Sequence, residues 1–350
     1  MAGRPLVALE SCEGQSTFLK RKLLGGNDML NESGSLGAML CRVSAFISPR
    51  HKVASDLVAN HMATLLACVS SCKATLSTYV AEPKLAIAAA SELWSDQDFF
   101  TKHGIPVLQG ALLSGALSNG IRGEVAAQII LLLAFDCACA KVGKPPGVRV
   151  SLKSVLLELL PPEIDDSLVD RLIPAKLKEA TIACCQFVNV AHEFSRQTLL
   201  DLAARHCSAT LKEGQRGADV VIPFWGDELG ILIFQIKNLK TCQKHCGFSS
   251  IVCEELLPSN VFSCDEIDDL VNLDSNCVRV FLQVGAVKPV AYSPQNSKRL
   301  KNSAQALEIF GMEPRCLSER EAYVDALKML VHGPVDLEAL LIISFAAIEN

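Results

Sequence analysis

Residues 214–240 read GQRGADVVIPFWGDELGILIFQIKNLK, and the fold turns on how this stretch is taken. Two apolar runs, 218–224 and 231–237, flank a polar segment with two glycines, Gly226 and Gly230. The first run is rich in β-branched residues, and a glycine-bearing turn between two such runs predicts a β-hairpin. In a strand, residues two apart share a face, so Gln235 and Lys237 point one way and Ile236 the other. The start of the first strand lies beside the end of the second. Asp219 is therefore predicted close to Gln235 and Lys237, at one end of a sheet. A carboxylate, an amide oxygen and an ammonium then converge.

That combination has a chemical use. Mg²⁺ or Mn²⁺ takes oxygen ligands and keeps part of its water shell. Asp219, the Gln235 side-chain oxygen and the Ile236 carbonyl offer three oxygens, and Lys237 can orient or help deprotonate a water for attack on phosphorus. The plain alternative is an ordinary hairpin with polar ends.

The hairpin resembles the PD-(D/E)XK nuclease superfamily, with ADVVIPF for the first motif and FQIKN for the second. The wider chain is similar to a family of large uncharacterised fungal proteins that carry such a domain near the C-terminus. The segments that carry this likeness are 53–66 (VASDLVANHMATLL), 81–90 (AEPKLAIAAA), 120–136 (GIRGEVAAQIILLLAFD) and 217–238. The resemblance covers about residues 50–290. It implies a restriction-endonuclease-like core and a metal-dependent nuclease site of Asp219, Gln235 and Lys237. It also implies a helix carboxylate, for which Glu124 is the candidate, at the opening of the apolar stretch 120–140. Family cores run from that helix into the strands with little between. Here nearly eighty residues intervene, so Glu193, within the 190–204 stretch taken as a helix, is the rival.

Composition narrows the setting. Of 350 residues, half are hydrophobic and 20% charged, which is a globular composition large enough for one big domain or two. A net charge of −5 and an aromatic content of 5% speak against broad phosphate-backbone or base-stacking binding, yet leave a nuclease with a local basic rim open. Fifteen scattered cysteines read as reduced thiols, hence an intracellular protein, cytoplasmic or nuclear. No secretory signal is read at the start, and the apolar runs 129–140 and 340–348 are too short for a bilayer, so no membrane partner is expected. Cys242, His245, Cys246, Cys253 and Cys264 cluster without the spacing of a zinc knuckle. His61 reads as a packing residue. Lys298, Arg299 and Lys301 read as a solvated face.

The expected fold is α/β, or α+β by a stricter label: a mixed central sheet of restriction-endonuclease-like type, flanked by helices. Residues 1–48 read as a loosely packed lead-in and 49–118 as a helical region. A core follows at 119–295 with a helical insertion at about 141–205, and C-terminal helices pack on it from 296 to 350. Strands are expected at 206–212, 218–224, 231–237, 278–284 and 290–292. Helices are expected at 52–79, 84–94, 108–117, 120–140, 298–310, 319–331 and 336–348, with a break at 103–107. The expected function is phosphodiester hydrolysis in nucleic acid; the alternative is an inactive nuclease-fold module that binds or regulates, with its protein partner unassigned.

Overall fold

The computed structural model describes residues 12–26, 30–45, 47, 51–61, 67–70, 73–76, 82–117, 121–190, 194–211, 218–238, 261–262, 276–284, 290–292, 306–310 and 313–332. The N-terminal part is helical: α1 (Cys12–Leu23), α2 (Glu32–Leu40) and α3 (Lys52–Asn60), a small hairpin of β1 (Ala67–Ser70) and β2 (Lys73–Leu76), then α4 (Pro83–Ala89), α5 (Gln97–Phe99) and α6 (Ile105–Leu113). The long helix α7 (Arg122–Lys141) follows. After it come β3 (Val150–Ser151), α8 (Leu152–Leu159), α9 (Ser167–Leu172), β4 (Thr181–Ile182), β5 (Gln186–Val190) and α10 (Arg196–Arg205). The chain closes with β6 (Cys207–Leu211), β7 (Val220–Trp225), β8 (Leu229–Lys237), β9 (Cys277–Gln283), β10 (Val290–Tyr292), β11 (Ala306–Phe310) and α11 (Glu321–His332). The fold is mixed α/β, with one mixed sheet and helices on its faces.

The predicted hairpin is present. β7 and β8 pair antiparallel from Val220↔Phe234 to Trp225↔Leu229. The sheet runs β10-β11-β9-β8-β7-β4-β3, and β7 shares its other edge between β4 at its end and β6 at its start. β5 lies parallel to β6, and β8, β9 and β11 form a parallel trio. The C-terminal ends of β5, β6, β8, β9 and β11 therefore share one edge with the start of β7. Gly230 is required at its place: a Cβ there would meet the Phe224 ring across the ladder at 2.2 Å.

Alternation sorts the strands onto two faces. Leu232, Phe234 and Ile236 of β8, with Val278, Val280 and Leu282 of β9, belong to the large core that holds α7. Ile231 and Ile233, with Cys277 and Phe281, belong to a second core with Leu199 and Leu202 of α10. Helix α7 is buried along nearly its whole length, so it carries no amphipathic stripe. By length and composition it could cross a membrane, but 78% of its apolar window lies inside the protein.

Several sequence expectations are corrected. The segment up to residue 48 is no loose lead-in where it is described: Leu23, Leu36, Met39 and Leu40 are core, and Arg42 is fully buried. The stretch 52–79 is not one helix; α3 stops where His61 is drawn inward to the Leu23 carbonyl (Nδ1 to O 2.7 Å), and the β1–β2 hairpin follows. That contact makes His61 a packing residue, as expected. No break falls at 103–107, because Pro106 sits in the first turn of α6, where its missing N–H costs nothing. The insertion, read as helical apart from one strand within 144–162, supplies that strand as β3 and two more, β4 and β5, to the sheet. The helix expected at 190–204 begins only at Arg196, because the Ser195 side chain caps it by accepting from the Thr198 N–H (3.1 Å). Residues 306–310 are strand β11 and not helix: Leu307 and Ile309 alternate into the core, and the open edge of β9 takes them as a parallel partner. The helix expected at 336–348 lies outside the described residues.

Candidate functional site

The site is built at the strand ends. Val220↔Phe234 is the last pair of the β7–β8 ladder, so Asp219 just before it and Gln235 just after it lie at the same end of the sheet. Three hydrogen bonds fix Asp219. Its N–H donates to the Phe234 carbonyl (2.9 Å), and its carbonyl accepts from the Leu211 N–H (2.9 Å). Its side-chain Oδ2 accepts from the Ile236 N–H (2.6 Å). The carboxylate thus takes over a ladder position normally filled by a backbone carbonyl, which locks the side chain against β8.

Burial of the half-buried Asp219 pushes its carboxyl above the ordinary aspartate value, while the Ile236 N–H and the Lys237 charge pull the other way. Lys237 is half-buried and close enough to act on Asp219 through its charge. Gln235 is 9% exposed, and its Oε1 is buried with no hydrogen-bond partner. An amide oxygen left so costs free energy unless something else fills its lone pairs. The same end of the sheet thus holds a carboxylate whose charge burial disfavours and an orphaned amide oxygen. Both features would be relieved by a cation, so the residues present fit a hard divalent metal held by Asp219 and Gln235, with the Ile236 carbonyl beside them. Among the described residues no group of three or more His, Cys, Asp and Glu side chains is placed to hold a metal.

Gln235 and Lys237 lie, with Ile231 and Ile233, on the face covered by α10. Glu124 stands in the first turn of α7, which packs on the side of the sheet opposite α10. It does lie at the same end: Gly123 is pressed against Asn238, just past β8, where an added Cβ would come within 2.7 Å of the Asn238 Cβ. Glu124 is half-buried there and has interactions of its own. Its rival Glu193 lies outside the described residues, two positions ahead of the Ser195 cap of α10. The Cys242–Cys264 cluster and Lys298, Arg299 and Lys301 also lie outside them.

Two residues of β9 join this face that sequence reasoning passed over. Arg279 is 4% exposed and faces Ile233; Gln283 is 3% exposed and faces Lys237. The available signal was period two in CVRVFLQ, which puts Arg279, Phe281 and Gln283 on one side.

The chain belongs to the family described as a domain of unknown function (DUF8736). The family's model matches residues 28–313, from before α2 through β11, so α7, α10 and the whole strand-end site fall inside it. No curated protein and no solved structure matches the chain.

Proposed function

We propose that this chain is a PD-(D/E)XK-like, Mg²⁺- or Mn²⁺-dependent phosphodiesterase acting on nucleic acid. The observation that carries the reading is the buried, unpartnered Gln235 Oε1 next to Ile236, whose N–H holds the Asp219 carboxylate. The run α10, β6, β7, β8 supports a restriction-endonuclease-like core, since it passes from helix to sheet with little between.

Held by Asp219, Gln235 and the Ile236 carbonyl, the metal would supply Lewis-acid polarisation of a phosphoryl oxygen. The remaining work falls to the protein's own groups. The Ile236 N–H keeps the Asp219 carboxylate in one orientation. Lys237, whose charge acts on Asp219, orients the attacking water and favours its deprotonated form. A second reading, a binding or regulatory module on the same fold, is favoured by the net charge of −5 and by an amide where a second acid would strengthen metal binding.

The test is cleavage of labelled single- and double-stranded DNA and RNA with Mg²⁺ or Mn²⁺, beside calorimetric metal titration. Lys237→Ala should lower the rate about 10²–10⁴-fold and spare metal affinity, because lysine is not an oxygen ligand. Asp219→Ala should lose both, and Gln235→Glu should bind metal more tightly. Cleavage that survives both alanine variants belongs to another site. Wild type with neither cleavage nor metal binding leaves the binding-module reading in its place.

A further inference from the structure

Three buried free thiols stand together where α10 ends and β6 begins. Cys184 and Cys185 come just before β5, and Cys207 opens β6, which pairs with β5 from Gln186↔Cys207 onward. In two regular strands Cys185 and Cys207 would point to opposite faces, being one step apart in register. Neither backbone is regular here. Cys185 lies in a bend, and His206, which closes α10, is left-handed at φ 54°. This brings both thiols to one peptide group. The Cys185 N–H (2.9 Å) and its thiol (3.2 Å) both donate to the His206 carbonyl, whose carbon is bonded to the Cys207 nitrogen. The two thiols share a hydrogen bond. Cys184 is engaged elsewhere: its sulfur accepts from the Ser208 hydroxyl (2.9 Å), and it packs in the core on the other face of the sheet.

The paired sulfurs are not equivalent. Cys207 accepts a hydrogen bond from the Gln186 side-chain amide (Nε2 to Sγ 3.1 Å). The bond from Cys185, then that of Gln186 and the Arg205 charge, hold Cys207 below the ordinary thiol value against its burial. The bond to Cys207, with burial, pushes Cys185 well above that value. Cys207 is the sulfur that ionises first, and Cys185 keeps its proton beside it.

We infer that Cys207 and Cys185 form an oxidation site for hydrogen peroxide, which closes them to a disulfide across the β5–β6 pair. The Cys207 thiolate attacks one peroxide oxygen and the O–O bond breaks. Cys207 becomes a sulfenic acid, and the departing hydroxide takes up a proton to leave as water. The Cys185 sulfur then attacks the Cys207 sulfur and displaces hydroxide, which leaves with the Cys185 proton as a second water. Each sulfur gives up one electron and the peroxide takes both. Cys207 is 1% exposed, yet it directly follows half-buried His206 and exposed Arg205, so an oxidant little larger than water has a short way in. The same cover, with Cys185 already in contact, favours the disulfide over a second peroxide. The bond ties the two ends of a segment that holds β5 and α10, and α10 covers the sheet face of Gln235 and Lys237.

The experiment treats the folded full chain with hydrogen peroxide, alkylates the remaining thiols in denaturant and maps the peptides by mass spectrometry. A Cys185–Cys207 linked peptide should be the main product and should disappear with dithiothreitol. Circular dichroism should stay native, and Tm should rise by a few degrees, because the link restrains the unfolded chain. Cys207→Ser should leave Cys185 reduced. Cys185→Ser should leave Cys207 as a sulfenic acid that dimedone traps. Gln186→Leu removes the donor to Cys207 and should slow the linkage about tenfold, the size of one hydrogen bond to a charged group. Cys184→Ala should link as wild type does. Cys185 and Cys207 both recovered as free thiols from treated, folded wild type overturn the inference, with no variant needed. So does a link that forms only in denaturant, or one in which Cys184 replaces Cys185.

Discussion

At the scale of the residue, Asp219 is the most constrained group in the molecule's candidate site. Burial raises its pKa, outweighing the Ile236 N–H and the Lys237 charge. The native state therefore holds a proton at pH values where the unfolded chain has released its own, near the ordinary aspartate value of about 3.9. Between that value and the raised native one, the folded chain binds more protons. Stability then falls as pH rises through the window and stays lower above it. Asp219→Asn should remove this fall, giving a flatter dependence of Tm on pH on the acid side, measured by thermal melts across that range. Mg²⁺ should raise Tm of wild type at neutral pH and leave Asp219→Asn unmoved, because a ligand stabilises the state that binds it. A wild-type Tm that rises with pH through the window, and does so because of Asp219, would contradict a raised native pKa.

At the scale of the element, the joint between α7 and β8 sets how the two faces of the sheet meet at the site. Gly123 lets the first turn of α7 approach Asn238, the residue after Lys237. An alanine Cβ would come within 2.7 Å of the Asn238 Cβ, an atom fixed to the backbone and unable to swing away. Gly123→Ala must therefore push α7 off the strand end. Alanine favours a helix interior over glycine by about 1 kcal/mol, so a purely local effect would be stabilising. The expected result is the opposite: a lower Tm, with backbone amide shifts concentrated at Gln235–Lys237 in NMR spectra. A stabilised Gly123→Ala protein with unmoved Gln235–Lys237 amides would mean that the joint is looser than the structure has it.

At the scale of the whole molecule, one buried ion pair ties the N-terminal helices to the sheet. Arg42, just after α2, makes a bidentate pair with Asp136 of α7 (2.7 and 2.9 Å) and donates through Nε to the Cys185 carbonyl (3.1 Å). Its guanidinium lies over the Trp94 ring at 4.4 Å. Its own carbonyl accepts from the Phe187 N–H of β5 (2.7 Å). Three places distant in sequence, Trp94, Asp136 and Cys185, meet at this one side chain. Asp136→Ala leaves the Arg42 charge buried without its partner and should cost about 3–5 kcal/mol in denaturant unfolding. Arg42→Met combined with Asp136→Ala should be less damaging than Asp136→Ala alone, since no uncompensated charge remains. Equal losses in the single and double variants would show that packing, and not charge, sets the cost.

What sequence alone determines in this protein is local and periodic. The β7–β8 hairpin follows from two β-branched runs and a glycine turn. The face shared by Gln235 and Lys237 follows from period two, and α7 from twenty residues without a breaker. These patterns are set by neighbours in the chain, so they are legible without the fold. The same patterns mislead where a distant partner decides. The 306–310 run becomes strand β11 only because the edge of β9 is open to it, and α3 ends because the Leu23 carbonyl accepts the His61 ring. Arg42 read as part of a loose lead-in because its partner, Asp136, is ninety-four residues away. The site divides in the same way. Asp219, Gln235 and Lys237 lie within one hairpin and could be read from its spacing. That α7 and α10 cover opposite faces, and that Gln283 stands beside Lys237, is decided by the parallel pairing of β8 with β9 across nearly forty residues of chain, a long-range register that no local pattern encodes.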